Sequence, residues 1–205
     1  MRSQRRLIGN DVVDLRDPEA RIETLHPRFI ARVFTAAEQR QINAASDPCR
    51  ALWALWAGKE AGYKILKKLV PTTLFAHAAF RVQLRGDAGI RGRLEGVVRH
   101  QGLCFQLKLH SDAAKIHAVA LSAVGNDSVT EPPRCRVGTG WSALEHSAAV
   151  RRLALRDLRA WFGDGAGDLR IVGSRPPRLV RAETALDADL SLSHHGSWVA
   201  WAAVY

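Results

Sequence analysis

Three short segments of this 205-residue sequence gather side chains that do chemistry. The first is Gly9-Asn10-Asp11-Val12-Val13-Asp14, where strand alternation puts Asp11 and Val13 on one face and Asp14 on the other. A carboxylate inside an apolar strand is costly unless a charge or hydrogen-bond donor meets it, although a lone aspartate more often ends in solvent or caps a loop. The second is Trp56-Ala57-Gly58-Lys59-Glu60-Ala61-Gly62-Tyr63-Lys64, which sets Glu60 and Lys64 one helical turn apart below Trp53 and Trp56. An isolated pair of this kind is usually a surface ion pair worth about 0.3–0.5 kcal/mol. Here it continues a tryptophan-bearing face, with Gly58 and Gly62 baring the backbone beside it at about 0.5–1 kcal/mol each. Close approach of a ligand or of another chain segment would explain them. The third is Leu190-Ser191-Leu192-Ser193-His194-His195-Gly196-Ser197, a strand that ends in hydroxyls, imidazoles and a glycine. Such an end suits phosphate oxygens, although a polar β-turn is the commoner outcome for any one of these residues. A serine-hydrolase reading finds neither a G-x-S-x-G elbow nor an identified acid partner.

These side chains need elements to hold them. Residues 8–15 predict a first strand through Val12, Val13 and Leu15. Thr35-Ala36-Ala37-Glu38 has the form of a capping box, so a short helix starts there. Asp47 as N-cap and Pro48 at the first position open a longer helix, which runs to Leu69 and stops before Pro71. Lys67 and Lys68 fall in its last turn, where positive charge favours the helix dipole. Short alternating runs at 79–84, 94–99, 103–109 and 116–124 predict antiparallel strands. Residues 126–140, rich in turn formers and holding two prolines, read as a linker. A second capping box, Ser142-Ala143-Leu144-Glu145, opens a helix that ends at Gly163, and strands follow at 169–172, 179–180, 190–193 and 198–205. Both halves run from a long helix into strands, and their endings echo one another. The expected architecture is therefore α+β, with two similar lobes at 1–125 and 141–205.

Bulk composition narrows the class. Apolar residues at 47% and charged residues at 24% are those of an ordinary globular protein. No apolar run approaches the ~18–20 residues that cross a bilayer. The basic start, Met1 to Arg6, is followed by Gly9-Asn10-Asp11 rather than an apolar signal core, so the cytoplasm is the expected compartment. Cys49, Cys104 and Cys135 form no CxxC pair and read as structural thiols. The net charge of +10 attracts polyanions: nucleic acid, anionic lipid, a phosphate-rich cofactor or an acidic protein.

Together the three segments resemble the motifs of the 4′-phosphopantetheinyl transferase superfamily: G-x-D on a strand, W/F-x-x-K-E-A-x-x-K on a helix, and S-x-S-H. Here they stand as Gly9-Asn10-Asp11, Trp56 to Lys64, and Ser191-Leu192-Ser193-His194. Val33 to Glu38 is similar to the family's short intervening helix. The helix motif is the most specific of the set. The resemblance implies a Mg²⁺-dependent transferase that moves the phosphopantetheine arm of coenzyme A onto a serine of a carrier protein. It implies Asp11 and Glu60 as metal ligands, with water and a pyrophosphate oxygen completing the sphere. Glu60, directly or through water, is then the candidate base, and Lys64 a phosphate-holding cation. His194 with Ser193 contacts cofactor phosphates from the opposite lobe, and Lys59, also a family position, is counted with the cofactor-binding residues. In the longer, surfactin-synthetase-type members a second acid follows in D-x-E. That position here is Val13, while Asp14 matches the D-x-x-E of the shorter holo-acyl-carrier-protein synthase type.

The motif order is that of the short type, yet the chain is much longer than one such unit. Its second half, with Arg151-Arg152 and Gly173-Ser174-Arg175-Pro176-Pro177, resembles the first half of the long type. The expectation is a monomeric pseudo-dimer of two lobes in swapped order, with coenzyme A between them and Arg151, Arg152 and Arg175 as phosphate contacts. An acidic apo carrier protein would complement the basic surface. A nucleic-acid-binding module shares the charge but lacks a binding motif, so no nucleic acid is expected. An inactive relative serving as a carrier-binding scaffold is disfavoured by the joint presence of Asp11, Glu60, Lys64 and His194.

Overall fold

The strand that carries Asp11, β1 (Ile8–Asp14), is buried at all seven positions. It is described, in a computed structural model, together with residues 6–26, 28–122, 133–141, 145–163 and 166–205. β1 pairs antiparallel with β5 (Lys115–Ser122) at one edge of a five-stranded sheet. The sheet continues through β4 (Leu103–Ser111) and β3 (Gly92–His100) to β2 (Arg81–Leu84), in the order β1-β5-β4-β3-β2.

A 22-residue helix, α3 (Pro48–Leu69), packs on this sheet, with the Asp47 side chain accepting from the Arg50 amide and Pro48 in the first turn. Its small and branched residues, among them Ala54, Ala57, Ala61 and Ile65, meet Val98, Leu107, Ile116 and Ala118 in the main core. Close packing accounts for the helix glycines. A Cβ on Gly62 would lie 2.7 Å from Val98 Cγ1, and one on Gly9 would lie 1.9 Å from the Ala61 carbonyl oxygen. Another chain segment, the sheet, is what approaches the bare backbone.

Two short helices, α1 (Phe29–Val33) and α2 (Ala36–Ala44), precede α3, and the capping box at Thr35 is complete on both sides. Its Glu38 is buried and does more than cap. The carboxylate takes Lys59 Nζ at 2.7 and 2.8 Å and the Val82 amide at 2.8 Å. Lys59 Nζ also donates to the carbonyls of Phe80 and His77. Burial pulls the Lys59 pKa down, with Glu38 opposing. The expectation that Lys59 binds cofactor is thus corrected: its ammonium is fully enclosed and already committed to Glu38 and to the sheet.

The second half has its own core. α4 (His146–Phe162) ends at Gly163, which sits at φ 68°. It packs through Val150, Leu153 and Leu158 on Leu190, Val199 and Trp201. The strands are β6 (Arg134–Thr139), β7 (Leu169–Val172), β8 (Arg178–Arg181), β9 (Thr184–Ala185), β10 (Asp189–His195) and β11 (Trp198–Val204). They form two three-stranded sheets, β10-β11-β6 and β7-β8-β9. Of the segment read as a linker, 126–140, residues 126–132 lie outside the described residues and Arg134–Thr139 form strand β6. Its residues are exposed or half-exposed and include a glycine, so its sequence lacks an apolar alternation, and its ladder to β11 holds it as an edge strand. Of the second capping box, residues 142–144 lie outside the described residues; Glu145 occupies the N-cap.

In both halves the first strand pairs with the last, which pairs with the one before it. The halves meet where Ile8, Val119 and Leu121 pack on Ala202 and Val204. Among the described residues no helix is long and apolar enough to cross a membrane. Removing one partner of a buried ion pair costs about 3–5 kcal/mol. Lys59→Met should therefore lose about that much stability in urea unfolding, and a loss below about 1 kcal/mol would contradict the structural role of Lys59.

Candidate functional site

Glu60, Lys64 and Lys68 stand at successive helical turns on the stripe of α3 that runs along β1. Lys64 Nζ lies 3.0 Å from Asp11 Oδ1 and donates to the Asn10 carbonyl at 2.7 Å. Lys68 Nζ donates to the Ile8 carbonyl and to Asp189 Oδ2, both at 2.6 Å. The β1 amides on this same free edge are met by β10. Ile8 donates to Asp189 Oδ2 at 2.7 Å, Asn10 to Ser191 Oγ at 2.9 Å, and Asp14 to His195 Nδ1 at 2.9 Å. This side-chain seam brings Ser193 and His194 up to Asp11 and Glu60. Lys68 is thus more than a complement to the helix dipole, and neither it nor Asp189 is flagged by spacing in the sequence.

Burial, then the Asp11 carboxylate, push the Glu60 pKa up from 4.5 to about 7, with Lys64 opposing. A carboxyl that burial, and after it a neighbouring carboxylate, keeps protonated near neutrality is one that a divalent cation would relieve. Among the described residues no group of three or more His, Cys, Asp or Glu side chains is placed to hold a metal ion; a metal here would have Asp11 and Glu60, the pair that the resemblance implies, as protein ligands. That donor set fits Mg²⁺, which prefers oxygen and retains several waters. Asp14 is engaged elsewhere, its carboxylate accepting from Ser197 and from the Arg16 amide. Burial alone would raise its pKa, but hydrogen bonds from Ser197 and from the Arg16 amide bring it below its ordinary value.

A cleft of about 670 Å³ opens from this pair between the two halves of the chain. Lys64, Lys67 and Lys68 line it from α3, Arg151 from α4, Arg175 from the loop before β8, and Ser193 and His194 from β10. Arg151 donates to the carbonyls of Ile171 and Gly173 at 3.2 and 2.5 Å and so supports the loop that carries Arg175. Arg152 does not belong: it is exposed and does not line the cleft, because the next residue on a helix turns about 100° away. Lys59, enclosed under α2, is absent as well.

Ser193 Oγ accepts from Asn10 Nδ2 at 3.1 Å, and that amide also reaches Nε2 of His117 at 3.3 Å. Burial drives the His117 pKa down to about 3, so its ring is neutral. His194 reaches into the cleft, its ring 5.1 Å from that of His146. Burial first, then His146 and Lys64, hold its pKa below the usual histidine range. A second, smaller cavity of about 230 Å³ touches the same centre and shares Asp11, Glu60 and His194 with the cleft.

A sequence profile of the 4′-phosphopantetheinyl transferase superfamily matches residues 7–122. The chain belongs to this superfamily. The match contains Asp11, Glu60 and Lys64 and ends before β6, so Ser193 and His194 lie outside it. The chain is also similar to a holo-[acyl-carrier-protein] synthase of Aromatoleum aromaticum (strain DSM 19018 / LMG 30748 / EbN1), 31% identical over 124 residues. That alignment covers 56% of this chain and 94% of the relative. Membership places the chemistry of the site in phosphopantetheinyl transfer, with coenzyme A as the substrate class of the superfamily.

The raised Glu60 pKa carries a sign that can be tested. The fold favours the neutral carboxyl, so ionised Glu60 costs stability, and the cost grows as pH rises from 4.5 through about 7. Without divalent metal, Glu60→Gln should exceed the wild type in stability by up to about 3 kcal/mol at pH 8 and by under about 1 kcal/mol at pH 5. Urea unfolding at the two pH values reads this directly, and an equal difference at both would refute the burial of Glu60 beside Asp11.

Proposed function

We propose that the protein transfers the 4′-phosphopantetheine arm of coenzyme A to a serine of an acidic apo carrier protein and releases 3′,5′-ADP. The observation that carries this reading is the junction of Asp11 and Glu60 with a cation-lined cleft between the two halves. A nucleotide bearing a pyrophosphate and a 3′-phosphate matches several cations in one cleft. Lys64 and Lys67 from one side and Arg151 and Arg175 from the other supply them, while Lys68 is committed to Asp189 and to the carbonyls of Ile8 and Leu190. His194 lines the same cleft beside them. Mg²⁺ held by Asp11 and Glu60 would neutralise pyrophosphate charge.

The chain's residues then divide the reaction among them. Lys64, already fixed by the Asn10 carbonyl and Asp11, presents its ammonium to the phosphates. Glu60, directly or through a water, takes the proton of the carrier serine. The serine oxygen–phosphorus bond forms, the pyrophosphate phosphorus–oxygen bond breaks, and 3′,5′-ADP leaves among the cleft cations. The shared strand order of the two halves supports a pseudo-dimer within one monomeric chain. The net charge of +10 favours encounter with an acidic carrier.

Intact-mass spectrometry of apo carrier proteins incubated with the protein, coenzyme A and Mg²⁺ should show the gain of one phosphopantetheine, lost on adding a chelator. Glu60→Gln should lower transfer by at least about 10²-fold while the variant stays folded. His194→Ala should act mainly on the KM for coenzyme A. No mass gain on any carrier, with no coenzyme A binding, would overturn the reading.

A further inference from the structure

His195, the residue after the Ser-His pair, has no part in the reaction as described so far. It ends β10 at the smaller cavity, whose other walls are Val12, Val13, Trp53 and Trp56, with Asp11, Glu60 and His194 at the boundary with the cleft. Its Nδ1 receives the Asp14 backbone N–H at 2.9 Å. A backbone amide only donates, so Nδ1 holds a lone pair and the ring proton resides on Nε2. The turn that follows keeps the ring in place. The Asp14 carboxylate accepts from Ser197 N at 3.0 Å and Ser197 Oγ at 2.8 Å. The backbone at Gly196 passes so close that a Cβ there would lie 2.5 Å from Asp14 Oδ2. Among the described residues no hydrogen bond uses Nε2. His195 lines the cavity with Nδ1 already occupied, which leaves Nε2–H as the donor its ring has to offer.

Transfer at phosphorus sets the entering and leaving oxygens roughly in line. Lysines and arginines line the larger cleft, so the polyanionic leaving nucleotide belongs there. Among the described residues no lysine or arginine lines the smaller cavity, yet it shares the carboxyl pair, so the uncharged hydroxyl enters from its side. Resting on the phosphopantetheinyl-transfer reading, we infer that the smaller cavity admits the acceptor serine and that His195 Nε2–H donates there to a non-bridging phosphoryl oxygen. Charge gathers on that oxygen as the serine oxygen–phosphorus bond forms and the pyrophosphate bond breaks. The serine proton goes to Glu60, and His195 keeps its own throughout.

Two substitutions separate this role from a structural one. His195→Asn retains an acceptor for the Asp14 amide but withdraws the donor from the cavity, whereas His195→Gln extends an amide N–H toward the place of Nε2–H. With coenzyme A, Mg²⁺ and an apo carrier that the wild type modifies, Asn should lower kcat about 10²-fold with the KM for coenzyme A unchanged. Gln should recover most of the loss. In protein carrying ¹⁵N-labelled histidine, His195 should show an unprotonated Nδ1 and a protonated Nε2. A wild-type kcat in His195→Asn, equal losses in both variants, or a protonated Nδ1 would overturn the inference. If the wild type modifies no carrier and binds no coenzyme A, the proposed function fails and the inference falls with it.

Discussion

The free edge of β1 is the constraint on which the rest depends. One edge of this strand is laddered to β5, while the other faces the second half of the chain in the middle of the molecule. A buried amide or carbonyl left without a partner costs about 1–3 kcal/mol. Among the described residues no backbone ladder closes the edge; side chains do. Asp189, Ser191 and His195 take the amides of Ile8, Asn10 and Asp14, and Lys68 and Lys64 take the carbonyls of Ile8 and Asn10. The spacing of these contacts along β10 sets the register between the halves. It also places Ser193 and His194 beside Asp11. Structural closure and assembly of the site are one event.

Helix α3 shows how a single element divides its charges by angle. Lys59 points into the core and meets Glu38; Glu60 and Lys64 point to β1 and its aspartate; Lys67 reaches the Thr73 carbonyl; Lys68 crosses to Asp189. Each change of about 100° per residue changes what the side chain can do. The enclosed Lys59–Glu38 pair carries little chemistry because its charges are consumed. Around Glu60 the balance is left open, since burial and Asp11 outweigh Lys64 and hold its pKa at about 7. A carboxyl in that state is suited to receive a cation or a proton, and that distinguishes the site from the ion pairs around it.

Much of this was legible in the sequence, and for local reasons. Asp47 and Pro48 start α3, Thr35 and Glu38 cap α2, and Gly163 ends α4, because capping depends on residues within a few positions of one another. Alternation along β1 put Asp11 and Asp14 on opposite faces, and helical spacing put Glu60 and Lys64 on one. The motif set then joined Asp11, Glu60, Lys64 and His194, all of which line the cleft. Edge strand β6 escaped because its binding energy lies in a ladder to β11 rather than in an apolar pattern of its own.

The sequence by itself therefore determined most of the elements, edge strand β6 apart, and the short list of reactive side chains. Only the tertiary structure decided which of those side chains are free. It withdrew Lys59 into the core and left Arg152 in solvent, gave Gly58 and Gly62 to helix–sheet packing, and tied Asp14 to the turn at Ser197. It also paired Lys68 with Asp189 and set the tautomer of His195 through the Asp14 amide. The physical reason is separation along the chain. The β1–β10 contacts join residues 181 positions apart, and no local propensity encodes which amide will find which side chain once two sheets meet.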